Sequence, residues 1–384
     1  MNTGKINFKY TPEQIAVVKK MGSDNRSEAL AAQEALAAIL TEPVLKVIQS
    51  APTIANLYKT FGYDLDQAPK IPLDIFFDVR RKNYLNVWSQ SQPGSTATNF
   101  VQGISEMYVN TYRLDASASV NKNYLKAGQL DILAAIFERL SQEMIIKQDM
   151  SAVNVLFGAL AGARIDGQAS NTAVTNLQII RSATAGVFQM DDFNTLMTKF
   201  DRINSAWNGG TPAVEQNGIT DILGSPEFFS NIRSIAYNPI NSRSGSVTSS
   251  GATSLAAPDS VREEIFRSAG VPSIFGVNLI KSYDFGIGKT YNTLFANYAG
   301  ATAYLGTAGS GSAAFAPTTE QLVVGINANG TNLVRLRERN GAGSELSLVV
   351  DDTFTNRSEK AGWYSYTKDG YVSLDNRQMV GMLF

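Results

Sequence analysis

The chain contains no cysteine and no histidine. The first absence rules out disulfides, a thiolate nucleophile and any Cys/His zinc site, and the second rules out a Ser-His-Asp triad. Histidine is also the commonest general base near neutral pH, so its absence weakens the case for an enzyme while leaving Lys, Asp, Glu and Tyr available. Net charge is almost absent as well: 33 Lys and Arg stand against 34 Asp and Glu. A dedicated nucleic-acid binder usually carries a basic excess. No apolar run approaches the ~20 residues needed to cross a bilayer, and the opening MNTGKINFKY lacks the apolar core of a signal peptide. The 384 residues, 44% of them hydrophobic, suffice for two domains and a sizeable core.

The longest uninterrupted helical pattern is Gln129–Phe157, which has no Gly or Pro. A helix of this length spans roughly 43 Å at about 1.5 Å per residue. Leu130, Leu133, Phe137, Leu140 and Met144 recur at helical spacing, while Asp131, Glu138, Arg139, Glu143 and Lys147 break up the other faces.

Before this helix, residues 1–25 read as an arm with a short amphipathic stretch at Pro12–Met21. Ser27 is placed to cap an Ala/Leu-rich helix running to about Leu40, with a break at Pro43. LDIFFDV and YLNVWSQ read as extended, with a turn-rich tip around Pro93, Gly94 and Ser95. Tyr112–Val120 alternates cleanly between apolar and polar positions and reads as the continuation of one long hairpin. A hairpin of that reach has little core of its own and needs something to lie on.

After the helix, Met190–Trp207 carries an apolar stripe of Phe193, Leu196, Met197, Phe200 and Ile203. A buried strand at Ile219–Leu223 then leads into a short helix capped by Ser225, with Pro226 at its first position. Residues 241–257 and 300–316 are Gly/Ser/Ala-rich loops. Between them, a helix is expected at Asp259–Ser268 and strands at Gly276–Lys281 and Thr290–Tyr298. In the last 60 residues, Asn329-Gly330 and Asp369-Gly370 each predict a hairpin turn between flanking strands, Leu322–Ile326 with Leu333–Leu336 and Trp363–Thr367 with Tyr371–Leu374.

Motifs that could carry chemistry fail on inspection. Gly286-Ile287-Gly288-Lys289-Thr290 lacks the first glycine of a phosphate loop, Tyr283 standing there instead, and reads as a turn between strands. Gly309-Ser310-Gly311 lacks the rest of a dinucleotide fingerprint. The pairs Asp191-Asp192 and Asp351-Asp352 sit at the ends of predicted elements, where a structural role suffices. Arg335, Arg337 and Arg339 alternate and so share one strand face; carboxylates of another subunit suit them better than nucleic acid in a neutral protein. No catalytic, cofactor-binding or metal site emerges.

The fold class is therefore α+β, and the order of elements resembles that of the major capsid proteins of tailed bacteriophages, of the type named after phage Hong Kong 97. ITDILGSPEFFSNIRS, AGVPSIFGVNLIKSYDFGIGKTYNTLFANY and SELSLVVDDTFTNRSEKAGWYSYTKDGYVSLDNRQMV are similar to stretches of that fold. The resemblance rests on the succession of elements over essentially the whole chain rather than on signature residues. It implies an N-terminal arm and helix at residues 1–50 and an extended loop at 72–115. A peripheral domain would be built from 51–71, 116–185 and 326–384, with a spine helix at 129–157, and an axial domain from 186–325.

By that resemblance the chain is a structural shell subunit, not an enzyme. It assembles with itself into hexamers and pentamers of an icosahedral head enclosing double-stranded DNA, which it touches weakly and without sequence preference. The implied subunit contacts are Pro93, Gly94, Ser95, Arg335, Arg337 and Arg339. The implied partners are a separate scaffolding protein, a portal and a decoration or cement protein, with no membrane and no cofactor. The implied location is the virion, after assembly in the host cytoplasm. Lys82 lies in the candidate loop, but its context does not match the lysine that some family members crosslink. A carboxylate-dependent hydrolase and a tail protein of the same virion stay open as alternatives.

Overall fold

The long helix forms because its apolar residues fall in one continuous stripe. In the computed structural model it runs Leu130–Gly162, five residues beyond the expected end. Leu133, Phe137, Leu140, Met144, Gln148, Ala152, Leu156 and Leu160 are all buried, three or four residues apart. The structure describes residues 12–51, 53–72, 106–162, 178–182, 186–207, 218–237, 273–274, 276–299, 315–329, 333–340, 344–351, 359–374 and 378–384. The expected loop tip at 93–95, the helix at Asp259–Ser268, the whole of the loop 241–257 and all but residues 315–316 of the loop 300–316 lie outside them.

In chain order the elements are α1 (Pro12–Met21), α2 (Arg26–Ser50), β1 (Lys59–Asp64), β2 (Lys70–Pro72), β3 (Glu106–Tyr108), β4 (Tyr112–Asn121), α3 (Lys122–Lys126) and α4 (Leu130–Gly162). They continue with β5 (Ile179–Arg181), α5 (Met190–Trp207), β6 (Asp221–Gly224), α6 (Pro226–Tyr237), β7 (Ser273–Ile274), β8 (Val277–Lys281) and α7 (Thr290–Ala299). The chain closes with β9 (Leu322–Ile326), β10 (Leu333–Arg339), β11 (Ser347–Asp351), β12 (Lys360–Ser373) and β13 (Met379–Leu383).

These elements form two compact units. The first is drawn from three stretches of chain, Met1–Asp74, Gln102–Ala152 and Val334–Val372. Its sheet runs β1-β10-β12-β11, with β4 also paired to β12. β1 lies parallel to β10, and β4 is antiparallel to β12 over ten residue pairs from Tyr112↔Asp369 to Asn121↔Lys360. Residues of α1, α2 and α4 pack on this sheet: Val18, Met21, Leu36, Leu40, Leu133 and Phe137 surround Trp363, with the Phe137 ring edge-on to the indole at 5.5 Å. β2 and β3 form a separate two-stranded antiparallel ladder, Lys70↔Tyr108 to Pro72↔Glu106, closed on its outer side by the Lys70–Glu106 ion pair at 2.8 Å.

The described part of the second unit comes from Val153–Leu333 and Ser373–Phe384. Its sheet has six strands in the order β5-β13-β9-β6-β8-β7. Phe188, Phe193, Leu196, Phe200, Phe228 and Phe384 form its main core with sheet residues such as Ile222 and Val380. Within this unit the last turns of α4 bring Phe157 against Phe285, Tyr291 and Phe295, each edge-on at 5.5–6.2 Å.

Several expectations from the sequence are met. α5 has the predicted ends, and Phe193, Leu196 and Phe200 are buried. The α6 start is capped as expected: the Phe228 amide donates to Ser225 Oγ at 3.1 Å, with Pro226 at the first helical position.

Others are corrected. α2 does not break at Pro43 but runs on to Ser50, and it starts after Asn25, whose side chain caps no amide. Pro43 is exposed and Ile39, whose carbonyl loses its amide partner, is 68% exposed, so water can satisfy that carbonyl. Tyr112–Val120 is not part of a hairpin with the loop but pairs with β12. Residues 290–298 form a helix, not a strand, because Tyr291 and Phe295 are four apart and both pack on Phe157. The Gly286–Thr290 turn accordingly joins a strand to a helix, with Gly286 and Gly288 at positive φ of 128° and 68°.

Both expected hairpins in the tail are absent. β9 is buried at every position and flanked on both sides, by β6 and β13, which leaves no edge for β10. Asp369-Gly370 lies inside β12, a single strand of 14 residues. A Cβ on Gly370 would come within 2.9 Å of the Asn110 carbonyl oxygen, so this glycine serves a close backbone approach instead of a turn.

Phe157 is fully buried in its aromatic cluster. Phe157→Ala should cost about 3–5 kcal/mol. Calorimetry should show the loss as a lowered unfolding midpoint, and an unchanged midpoint would contradict this packing.

Candidate functional site

β10 reads LVRLRER, and its first five residues are buried. Two arginines alternating in such a strand must find buried counter-charge, because an unpaired buried charge is prohibitively costly. The counter-charge is Asp369, itself fully buried. Arg335 Nη2 donates to Asp369 Oδ2 at 3.0 Å, and Arg337 Nε donates to Asp369 Oδ1 at 2.8 Å. Gln148 on α4 donates from Nε2 to Asp369 Oδ2 at 2.9 Å. Arg337 Nη1 reaches a second carboxylate, Glu345 Oε2, at 2.7 Å, and Gln49 of α2 donates to the same oxygen at 3.2 Å. Beside Glu345 the Ser344 amide donates to Asn340 Oδ1, and Thr367 Oγ1 of β12 donates to the Glu345 carbonyl.

The cluster balances two guanidinium groups with two carboxylates. Burial works against the Arg337 charge, but Asp369 and Glu345 outweigh it and hold its pKa above the ordinary arginine value. Burial pushes the Asp369 carboxyl up against the downward pull of Arg337. The Arg335 guanidinium also lies over the Tyr371 ring, 5.3 Å from its centroid. Tyr371 packs edge-on to Tyr58, whose hydroxyl donates to the Ala152 carbonyl at 2.8 Å. Burial raises the pKa of both phenols, and that of the neighbouring Tyr112 to about 12.

The residues expected to contact other subunits therefore separate. Arg335 and Arg337 are 2% exposed and are answered by carboxylates of their own chain, which corrects the expectation of intersubunit partners for both. Arg339, the last residue of β10, is exposed. Pro93, Gly94 and Ser95 lie outside the described residues. Sequence reasoning missed Asp369, Glu345 and Gln148. The available signal was the pair of arginines inside an otherwise apolar strand.

One aspartate of each pair has a structural place, and Asp352 lies outside the described residues. Asp192 Oδ2 accepts from the Gln189 amide at 2.9 Å at the start of α5, and Asp351 ends β11. Among the described residues no group of three or more acidic side chains is arranged to hold a metal ion, and no helix is long and apolar enough to cross a membrane.

No sequence-family model and no curated protein matches the chain. The chain is a mixed α+β protein similar to solved capsid structures. The capsid of the cyanophage P-SCSP1u aligns at a TM-score of 0.48 and 11% identity, covering 85% of this chain and 86% of that one. The capsid of a native GTA particle aligns at 0.47 and 11%, covering 87% and 90%. A virus-like particle from Pyrococcus furiosus aligns at 0.43 and 11%, covering 90% and 99%. With such scores and identities, the functional reading rests on the chain's own elements.

Asp369→Ala should destabilise the first unit by about 3–5 kcal/mol, because it strands two buried arginines. Chemical denaturation should show a lowered midpoint, with Asp369→Asn intermediate. A midpoint equal to wild type would show that the cluster does not hold the unit together.

Proposed function

We propose that this chain is the shell subunit of a tailed-phage head of the Hong Kong 97 type, assembling into hexamers and pentamers around double-stranded DNA. The observation that carries this reading is the order of the described elements. Two N-terminal helices precede an antiparallel ladder, β2 with β3, from which the segment 73–105 departs and returns. A 33-residue helix follows. Most of a second unit is then placed in sequence before β10–β12 return to the first unit's sheet. That is the family's succession of loop, spine helix, inserted domain and returning strands.

In this reading the extended loop expected at 72–115 ends before β4 begins at Tyr112, with Pro93, Gly94 and Ser95 at its tip, 129–157 lie in the spine helix, and 186–325 form the axial domain. The peripheral domain is drawn from 51–71, 116–185 and 326–384, less β5 and β13, which lie in the second unit's sheet, and 1–50 make the arm and its helix. The subunit has no catalytic role. A separate scaffolding protein, a portal and a decoration or cement protein are its partners besides itself, and it is located in the virion after assembly in the host cytoplasm. Closed rings of one chain need heterologous contacts, and obligate interfaces commonly bury roughly 2,000–5,000 Å². Projecting segments supply such area without enlarging the core. A near-neutral subunit also suits a container, because a strongly basic inner wall would hold the packaged polyanion tightly.

Deleting residues 90–99 should leave a chain with wild-type circular dichroism that no longer forms fast-sedimenting particles. Particles at normal yield from the deleted chain would refute the loop assignment.

A further inference from the structure

We propose that α1 is a strap: it clips over the α3–α4 corner of its own chain, holds the joint through which β4 passes into the long helix, and opens as a separate unit before the sheet does. The inference does not depend on the shell reading.

β4 passes into α4 through α3, a helix of five residues, and the three residues Ala127–Gln129. So short a joint has no core of its own. Gly128, at a φ of 72°, ends α3 in a left-handed turn, with the Gly128 amide donating to the Leu125 carbonyl at 2.9 Å and the Gln129 amide to the Tyr124 carbonyl at 3.2 Å. α1 lies on this turn. A Cβ on Gly128 would stand 3.2 Å from Ile15 Cγ2 and 3.3 Å from Lys19 Cε, both of α1. From the other side, a Cβ on Gly22, the residue after α1, would stand 2.7 Å from the Lys126 amide nitrogen and 3.1 Å from the Leu125 carbonyl carbon. Each glycine leaves out the side chain that would keep α1 off the corner's backbone. Val18 and Met21 of α1 fill the same cluster as Leu125 of α3 and Leu133 of α4. Gln33 of α2 donates to the Met21 carbonyl at 3.2 Å, which satisfies one of the carbonyls that a helix end leaves over.

The strap is held by little. Within α1 only Val18 and Met21 are buried. The ion pair that follows it, Asp24 with Lys126 at 2.7 Å, is on the surface, where such pairs contribute little. An element with few buried contacts and an exposed far side opens at lower free energy than the core of a sheet. Its reach is short as well. Four residues, Gly22–Asn25, join α1 to α2, and at ~3.3–3.6 Å each they span at most about 14 Å. α2 is anchored by the buried Ala29, Leu36, Leu40 and Val44. An opened α1 therefore stays over its own corner, and the strap closes again within the chain.

Native-state hydrogen exchange on the full-length chain, followed through a denaturant series, tests this. The amides of α1 and those of residues 125–130 should share one opening whose rate barely rises with denaturant. Those of β12 should rise steeply, because they wait for the sheet to unfold. Gly22→Ala keeps every side chain of α1 but pushes the helix off the Lys126 backbone, so α1 and the corner should exchange about ten-fold faster, both by the same factor. Met21→Ala, which removes a buried side chain and leaves the corner's backbone alone, should speed the same two sets of amides together. α1 amides that exchange only along with β12 would overturn the separate opening. Corner amides that stay slow while α1 opens, in wild type or in either variant, would overturn the hold of α1 on the corner.

Discussion

The first unit depends on one buried carboxylate. Asp369 holds Arg335 and Arg337 of β10 and is itself held by Gln148 of α4, while Glu345 ties Arg337 to Gln49 of α2. Strands from the end of the chain and helices from its beginning thus meet at a single neutral knot. Hydrophobic packing around Trp363 supplies area, but it is indifferent to small shifts along the strands. The ion pairs are directional, and a slip of one residue would leave charges buried without partners. The cluster thereby pins the register of β10 against β12.

That arrangement bears on what a shell subunit must do. A unit assembled from three distant stretches of chain can present projecting segments without loosening, provided its own sheet is closed internally. β2 and β3 contribute only six residues to the described structure and share little of the core. Their stability as a projection must come from elsewhere, and in the proposed reading a neighbouring subunit provides it. The inner arginines of β10 are answered within the fold, while Arg339 at the end of the strand is exposed.

Much of the helical architecture was legible in the sequence because its signals are local. The stripe of α5 and the Ser225-Pro226 start of α6 need only residues within a turn or two of one another. Signals failed where distant parts of the chain decide the outcome. Asp369-Gly370 has the chemistry of a tight turn, but its aspartate neutralises arginines more than thirty residues away, and its glycine clears the Asn110 carbonyl. Asn329-Gly330 likewise reads as a hairpin, yet β9 is already flanked by β6 and β13. The aromatics of α7 look strand-like until Phe157 is seen between them. The arginine alternation was visible, but its partner lay across the sheet, so it was assigned to another subunit.

Negative-stain electron microscopy of the purified full-length chain, alone and co-expressed with the products of neighbouring genes, tests the central claim most directly. The account predicts hollow isometric particles, or rings of five and six subunits. Only compact monomers or dimers under every such condition would contradict it.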